Sequence, residues 1–136
     1  MAQAKLAIVS GRSYFILMKK PLVVVIEPRI RITCGRRFAF GPGQAQLLEN
    51  IAQAGSIAAA AKAMRMSYMR AWMLVKRMNH GFTEPLVATI RGGGQRGGAQ
   101  LTATGGKVLR LYREIELQGR RAARSSQQNL AALLRH

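Results

Sequence analysis

Aspartate is absent from this chain of 136 residues, cysteine occurs once (Cys34), tryptophan once (Trp72) and histidine twice (His80 and His136). The only acids are five glutamates: Glu27, Glu49, Glu84, Glu114 and Glu116. Each shortage removes a chemistry. Without aspartate a Ser-His-Asp triad lacks its usual acid, and so few Cys and His residues fall short of the roughly four ligands of a structural zinc site. No catalytic residue, metal or cofactor is therefore expected. One cysteine makes no internal disulfide, which points to a reducing, cytoplasmic compartment. Long apolar runs are missing too. Gly11, Arg12 and Ser13 interrupt the first apolar stretch and Lys19, Lys20 and Pro21 the next, so nothing approaches the roughly 20 residues of a membrane span. No membrane partner is expected.

What is present is positive charge. Lys and Arg total 22 against five acids, a formal net charge of +17, while 49% of the residues are apolar. That apolar content is too high for a disordered basic tail. A foldable chain this basic repels itself unless it meets a polyanion, and nucleic acid is the leading candidate.

Composition shifts divide the chain into a leader over 1–28, expected to be partly disordered and with Met18 as an alternative start, a domain over 29–118, and a basic tail or short helix over 119–136. Within the domain, Arg29–Thr33 alternates basic and apolar residues as a half-buried strand does; Cys34–Arg37 reads as a turn and Phe38–Phe40 as a return strand. Gly41-Pro42-Gly43 launches a first helix over about 43–53, with Leu47, Leu48, Ile51 and Ala52 as its apolar stripe. Gly55 stops it, and Ser56 caps a short alanine-rich helix over about 57–64. Ser67 caps a third helix from Tyr68 to about Asn79, with His80-Gly81 as its stop. Pro85–Arg91 and Ala99–Thr102 read as strands flanking a glycine-rich tip. A last helix is expected after Thr104 or the Gly105-Gly106 pair, running at least to Gln118 with Val108, Leu111, Tyr112 and Ile115 as its stripe.

At 100° per residue the third helix separates two faces. Ala71, Leu74, Val75, Met78 and Tyr68 lie on one side with Trp72 on the flank; Met69, Arg70, Met73, Lys76 and Arg77 lie on the other, with no acid among them. The order of elements is that of a winged helix-turn-helix: mostly α with a small β component, a three-helix core, a β-hairpin wing and a C-terminal helix. Such a unit suits duplex DNA. A helix fits the major groove, where base edges display a readable donor and acceptor pattern, and a wing of glycine and arginine approaches the backbone or minor groove closely.

The residues also carry a resemblance. The stretch GSIAAAAKAMRMSYMRAWMLVKRMN, a strand, and then GGGQRGGAQLTATG resemble the N-terminal winged helix-turn-helix of the molybdate-responsive, ModE-type transcriptional regulators, itself related to the LysR-type helix-turn-helix. The similarity runs from about Arg29 to Glu116. It implies a homodimeric regulator bound to double-stranded DNA, with Ser67, Tyr68, Met69 and Arg70 where the reader helix meets DNA and Arg91, Gln95 and Arg96 on the wing. It also implies dimerisation through the last helix, whose stripe is Val108, Leu111, Tyr112 and Ile115, and the N-terminal segment. Family members continue into a molybdate-binding module, whereas this sequence ends at His136, so molybdate is not expected to bind this chain.

Single residues leave more than one reading. Arg70 suits a bidentate contact to guanine or a phosphate contact, and Lys76 and Arg77 suit phosphates or plain solvation. Met69 and Met73 suit thymine methyls or packing, and Trp72 suits the core. Arg29, Arg31, Arg36 and Arg37 read as a solvated basic edge, with DNA contact as the lesser alternative. Lys107, Arg110 and Arg113 read as partners of Glu114 and Glu116 along their own helix. The competing function is an RNA- or ribosome-associated basic protein using the Arg/Gly tract. An enzyme cradling phosphate on the glycine run is disfavoured, since the Gly-Lys-Ser/Thr ending is missing.

Overall fold

The computed structural model describes residues 4–9, 12–17, 22–25, 27–91 and 97–135. In chain order the elements are β1 (Ala4–Val9), β2 (Arg12–Leu17), β3 (Leu22–Val25), β4 (Ile32–Cys34), β5 (Phe38–Phe40), α1 (Pro42–Ala54), α2 (Ile57–Ala63), α3 (Tyr68–Gly81), β6 (Val87–Ile90), β7 (Gly98–Leu101), α4 (Ala103–Ala122) and α5 (Arg124–Ala131). Two units divide them: Arg29–Ile115 is one, and Met1–Pro28 with Glu116–His136 is the other.

The larger unit is a winged helix-turn-helix. Gly41 caps α1, its N–H donating to Gln44 Oε1 at 3.1 Å, and Pro42 occupies the first turn, where a missing N–H removes no helix bond. Gly55 ends α1 with a φ of +73°, donating its N–H back to the Ile51 carbonyl at 2.9 Å. Ser56 then accepts from the Ala59 N–H at 3.0 Å and starts α2 one residue later. The core is built from Phe40, Leu47, Leu48, Ile51, Met78, Leu86 and Tyr112, all fully buried. Each large apolar side chain of this kind contributes about 1.5–3 kcal/mol by leaving water. Ala60 and Ala61 of α2 and Ala71 of α3 are buried as well, and their small size lets these two helices approach each other closely. In α1 the buried small residue is Ala45 rather than Ala52, which is exposed.

An edge-to-face aromatic group closes one side of this core. The Phe40 ring meets Phe82 with centroids 5.8 Å apart and Tyr112 at 5.2 Å, and Phe38 meets Phe82 at 5.3 Å. The Tyr112 hydroxyl donates to the Ile30 carbonyl at 2.7 Å and fastens the chain ahead of the first hairpin. That hairpin pairs Ile32 with Phe40 and Cys34 with Phe38. Its first strand is shorter and wetter than the alternation of Arg29–Thr33 predicts: only Ile32–Cys34 pairs, and all three residues are exposed. The hairpin meets the core through β5, whose Phe40 is buried and whose Phe38 packs against it, so on β4 the period of two records the pleat and not a buried face.

α4 also starts earlier than expected. The Thr102 hydroxyl accepts from the Gly105 N–H at 2.9 Å, and the helix begins at Ala103, ahead of the glycine pair. Gly105 is there for space: a Cβ at this position would run into the Leu86 backbone carbonyl. This glycine is thus a point of close approach between α4 and the segment leading into β6.

In the other unit β1, β2 and β3 form an antiparallel sheet in that order, with Ala4 opposite Leu17, Val9 opposite Arg12, Tyr14 opposite Val25 and Leu17 opposite Leu22. These strands occupy the stretch read from sequence as a leader, where β-branched and aromatic residues favour extended pairing. α5 adds a helix in the tail, with Ala131 buried and Leu130, Leu133 and Leu134 exposed around its end.

Candidate nucleic-acid interface

α3 begins as the sequence predicts. Ser67 accepts from the Arg70 N–H at 3.2 Å, and a tight turn feeds it from α2. In that turn Arg65 adopts a φ of +53°, while the Met66 N–H reaches the Ala61 carbonyl at 3.0 Å. A left-handed residue closing the helix in this way redirects the chain within two residues, which sets the angle between α2 and α3.

From there the two faces separate. Ala71, Val75 and Met78 point inward, with Leu74 and Trp72 partly buried against them. Met69, Arg70, Met73, Lys76 and Arg77 are exposed, Met69 to 64%. Tyr68, placed on the apolar face by its helical phase, is instead 53% exposed. It precedes the first buried position, Ala71, by about one turn. Ser67, Tyr68, Met69 and Arg70 therefore present themselves together at the open end of α3, with Arg77 about 10 Å further along the axis.

The electrostatics of this face are one-sided. Among the described residues, Arg70, Lys76 and Arg77 have no carboxylate within ion-pair distance. Lys76 instead places its Nζ 4.3 Å from the centre of the Trp72 ring, a cation–π contact that holds the ammonium against the helix without neutralising it. Two of the five acids serve the fold elsewhere. Glu49 of α1 accepts from Arg113 of α4 at 2.7 Å, and Glu84 accepts from the Thr104 hydroxyl. Arg113 thus reaches across to another helix, which its spacing along α4 does not predict, and its guanidinium carbon lies 5.9 Å from the centre of the Tyr112 ring.

The wing hairpin pairs Val87 with Leu101 and Ile90 with Gly98. Arg91 follows β6 and is exposed. Gln95 and Arg96, the remaining wing residues expected to meet a ligand, lie outside the described residues. The base of the wing is held by a residue that no sequence motif singles out. Asn79 of α3 accepts through Oδ1 from the Leu86 and Val87 N–H groups at 2.8 and 3.1 Å and donates through Nδ2 to the Val87 carbonyl at 3.0 Å. On the other strand, the Ala99 N–H donates to the Gly55 carbonyl at 2.8 Å. Wing and helix-turn-helix are thereby locked as one body. The only sequence signal for Asn79 is a polar residue on the inner side of the last helical turn, just before a strand.

The stripe expected to make a dimer divides in two. Tyr112 is 1% exposed and belongs to the core, and Val108 packs against that core. Both are engaged within their own unit, because the aromatic group and the Ile30 carbonyl take up that side of α4. Leu111 and Ile115, one turn apart, remain on the surface at 45% and 41% exposure. Among the described residues no group of three or more His, Cys, Asp or Glu side chains is placed to hold a metal, and no helix is long and apolar enough to cross a membrane.

Comparison with known proteins bears directly on this arrangement. Residues 42–106 match the family model for bacterial regulatory helix-turn-helix proteins of the lysR family, a family of regulators and not of enzymes. The chain is 44% identical over 73 residues to the molybdenum transport protein ModE of Azotobacter vinelandii, covering 54% of this chain and 27% of that protein. It is 39% identical over 71 residues to the DNA-binding transcriptional dual regulator ModE of Escherichia coli K12, covering 52% of this chain and 27% of that protein. It thus spans under a third of the length of these relatives. Among solved structures, the crystal structure of the CbnR_DBD–DNA complex superposes with a TM-score of 0.50 at 30% identity, covering 64% of this chain and 95% of that one.

Proposed function

The chain carries a LysR-type helix-turn-helix domain, and on that premise we propose that it is a sequence-specific, double-stranded DNA-binding transcriptional regulator acting as a homodimer in the bacterial cytoplasm. The observation that carries this reading is the outer face of α3, an exposed row of cations and methionines with no acid beside it. α3 enters the major groove from its Ser67 end. Arg70 reads a guanine edge, Tyr68 and the helix-start N–H groups meet phosphate, and Met69 and Met73 lie against thymine methyls. Lys76 and Arg77 grip backbone phosphates further along, and the wing, through Arg91, Gln95 and Arg96, follows the neighbouring backbone or minor groove. The exposed pair Leu111 and Ile115 supports a two-fold contact between copies, with Val108 and Tyr112 backing it from the core.

The RNA-associated reading fares worse. Single-stranded bases stack on exposed aromatic rings. Of the described aromatic side chains in Arg29–Ile115, Phe38, Phe40, Phe82 and Tyr112 pack together, Trp72 lies beneath Lys76, and only Tyr68 is exposed.

Sites selected from a random duplex pool, followed by anisotropy titrations, test the proposal. Arg70→Ala is expected to cost about 1–3 kcal/mol on the preferred site and to flatten the preference at one base step. An equal loss on every sequence would make Arg70 a phosphate contact and remove the reader assignment. If a dimer neutralises roughly 6–10 phosphates, affinity falls about 10³–10⁵-fold between about 50 and 200 mM salt. Footprints are expected as symmetric half-sites about one helical turn apart, and an asymmetric footprint rules the homodimer out.

A further inference from the structure

A second cationic feature adjoins the reader face and shares Arg77 with it. The β4–β5 hairpin and the C-terminal half of α3 enclose an open cleft of about 770 Å³, with Gln44 at its edge. Arg31, Arg36, Arg37, Arg77 and His80 line it, and among the described residues no carboxylate does. The sequence pattern reads the first three of these as a solvated basic edge or, less favoured, a DNA contact; the fold gathers them around one space, facing two more basic side chains from another element.

Local geometry builds this cleft. Gly35 takes a φ of +60° and turns the hairpin so that Arg36 and Arg37 project from its tip. Gly81 ends α3 without a side chain, and any Cβ there would collide with the Phe38 ring, so this glycine is what lets the hairpin close against the helix end. His80 Nδ1 lies 2.8 Å from the Lys76 carbonyl. A carbonyl only accepts, so Nδ1 carries the proton and the ring is held in one orientation.

We propose that this cleft is a phosphate-binding site, separate from the α3 residues assigned to base reading. Guanidinium groups present forked donors that match phosphate oxygens two at a time. Several converging like charges are eased by a ligand carrying more than one negative charge. The volume is ample for more than one phosphate group. Two sources share this chemistry: the backbone of DNA flanking the reader helix, and a free ligand bearing two or three linked phosphates. The inference goes beyond the reader assignment and does not need it.

The test uses the full chain, the double variant R36A/R37A and, as a control, Arg70→Ala. Both hairpin positions are exposed turn residues, so circular dichroism and urea unfolding of the double variant are expected to match the parent. Inorganic pyrophosphate is titrated by calorimetry and by amide chemical shifts. Binding is expected, with shifts at Gly35 and Gly81, weakened about tenfold or more in the double variant and unchanged by Arg70→Ala. In parallel, the salt dependence of duplex binding is expected to lose about two units of slope in the double variant with base preference intact. A pyrophosphate response alone assigns the site to a free phosphate ligand, and a slope change alone assigns it to the DNA backbone; either supports the proposal. If the double variant alters neither, the cleft is not a phosphate site. A failed reader assignment appears only in the Arg70→Ala arm, so the two outcomes stay distinct.

Discussion

The outer face of α3 and the helix α4 both carry long cationic side chains, yet they are wired differently. On α4, Arg113 is tied to Glu49 of α1 and laid over Tyr112, so its charge helps fasten two helices. On α3, Arg70 and Arg77 have no carboxylate within reach among the described residues, and Lys76 rests only on a neutral ring. With so few acids in the chain, where they sit decides which cations belong to the fold and which remain for a polyanion. The lesson is that net charge announces a partner, while the placement of the rare counter-charges locates it.

This contrast predicts a clean division: inward positions should cost stability and outward ones should cost only binding. The largest effect is expected at Gly105. Gly105→Ala forces a methyl group into the Leu86 backbone, which cannot yield as a flexible side chain does, and should lower unfolding free energy by about 3 kcal/mol in urea titrations. Asn79→Ala comes next, at about 2–3 kcal/mol, because it strips partners from two N–H groups and a carbonyl at the wing base. It should also speed amide exchange at Leu86 and Val87; unchanged exchange there would mean that Asn79 does not hold the wing. Among these inward positions Glu49→Gln should cost the least stability, about 0.5–1 kcal/mol, since the ion pair is about one-third exposed, and should leave duplex affinity unchanged. Against these, Arg70→Ala should move stability by less than about 0.5 kcal/mol while weakening DNA binding. A stability loss at Arg70 comparable to that at Asn79 would erase the distinction between the two faces.

Much of the helix-turn-helix was legible because its signals are local. Ser56 and Ser67 cap the helices that follow them, Gly55 stops α1, and the apolar stripe of α3 falls on Ala71, Val75 and Met78 as the helical period requires. The reader face was legible for the same reason: it is the remainder of that stripe. What escaped involves partners distant in sequence. The phase of α4 put Val108, Leu111, Tyr112 and Ile115 on one stripe, but only the meeting with Phe40 and the Ile30 carbonyl drew Tyr112 into the core. Spacing along α4 offers Arg113 glutamates on its own helix, while packing also brings Glu49 of α1 within 2.7 Å. The glycines at 81 and 105 looked like breaks and prove to be contact points, because a glycine's written form does not say whether its freedom or its smallness is in use.

Composition and periodicity by themselves determined that this chain would fold, that its helices would begin and end close to where they do, and that one helix would carry basic residues unmixed with acids. Those properties depend on each residue and its neighbours within a turn or two. Only the tertiary structure decided which side chains face each other across elements: Asn79 against β6, Arg113 against Glu49, and the hairpin arginines against Arg77 and His80. Hydrogen bonds, ion pairs and clefts act over a few ångströms, and which groups come within that range is fixed by how helices and hairpins pack, not by their order along the chain.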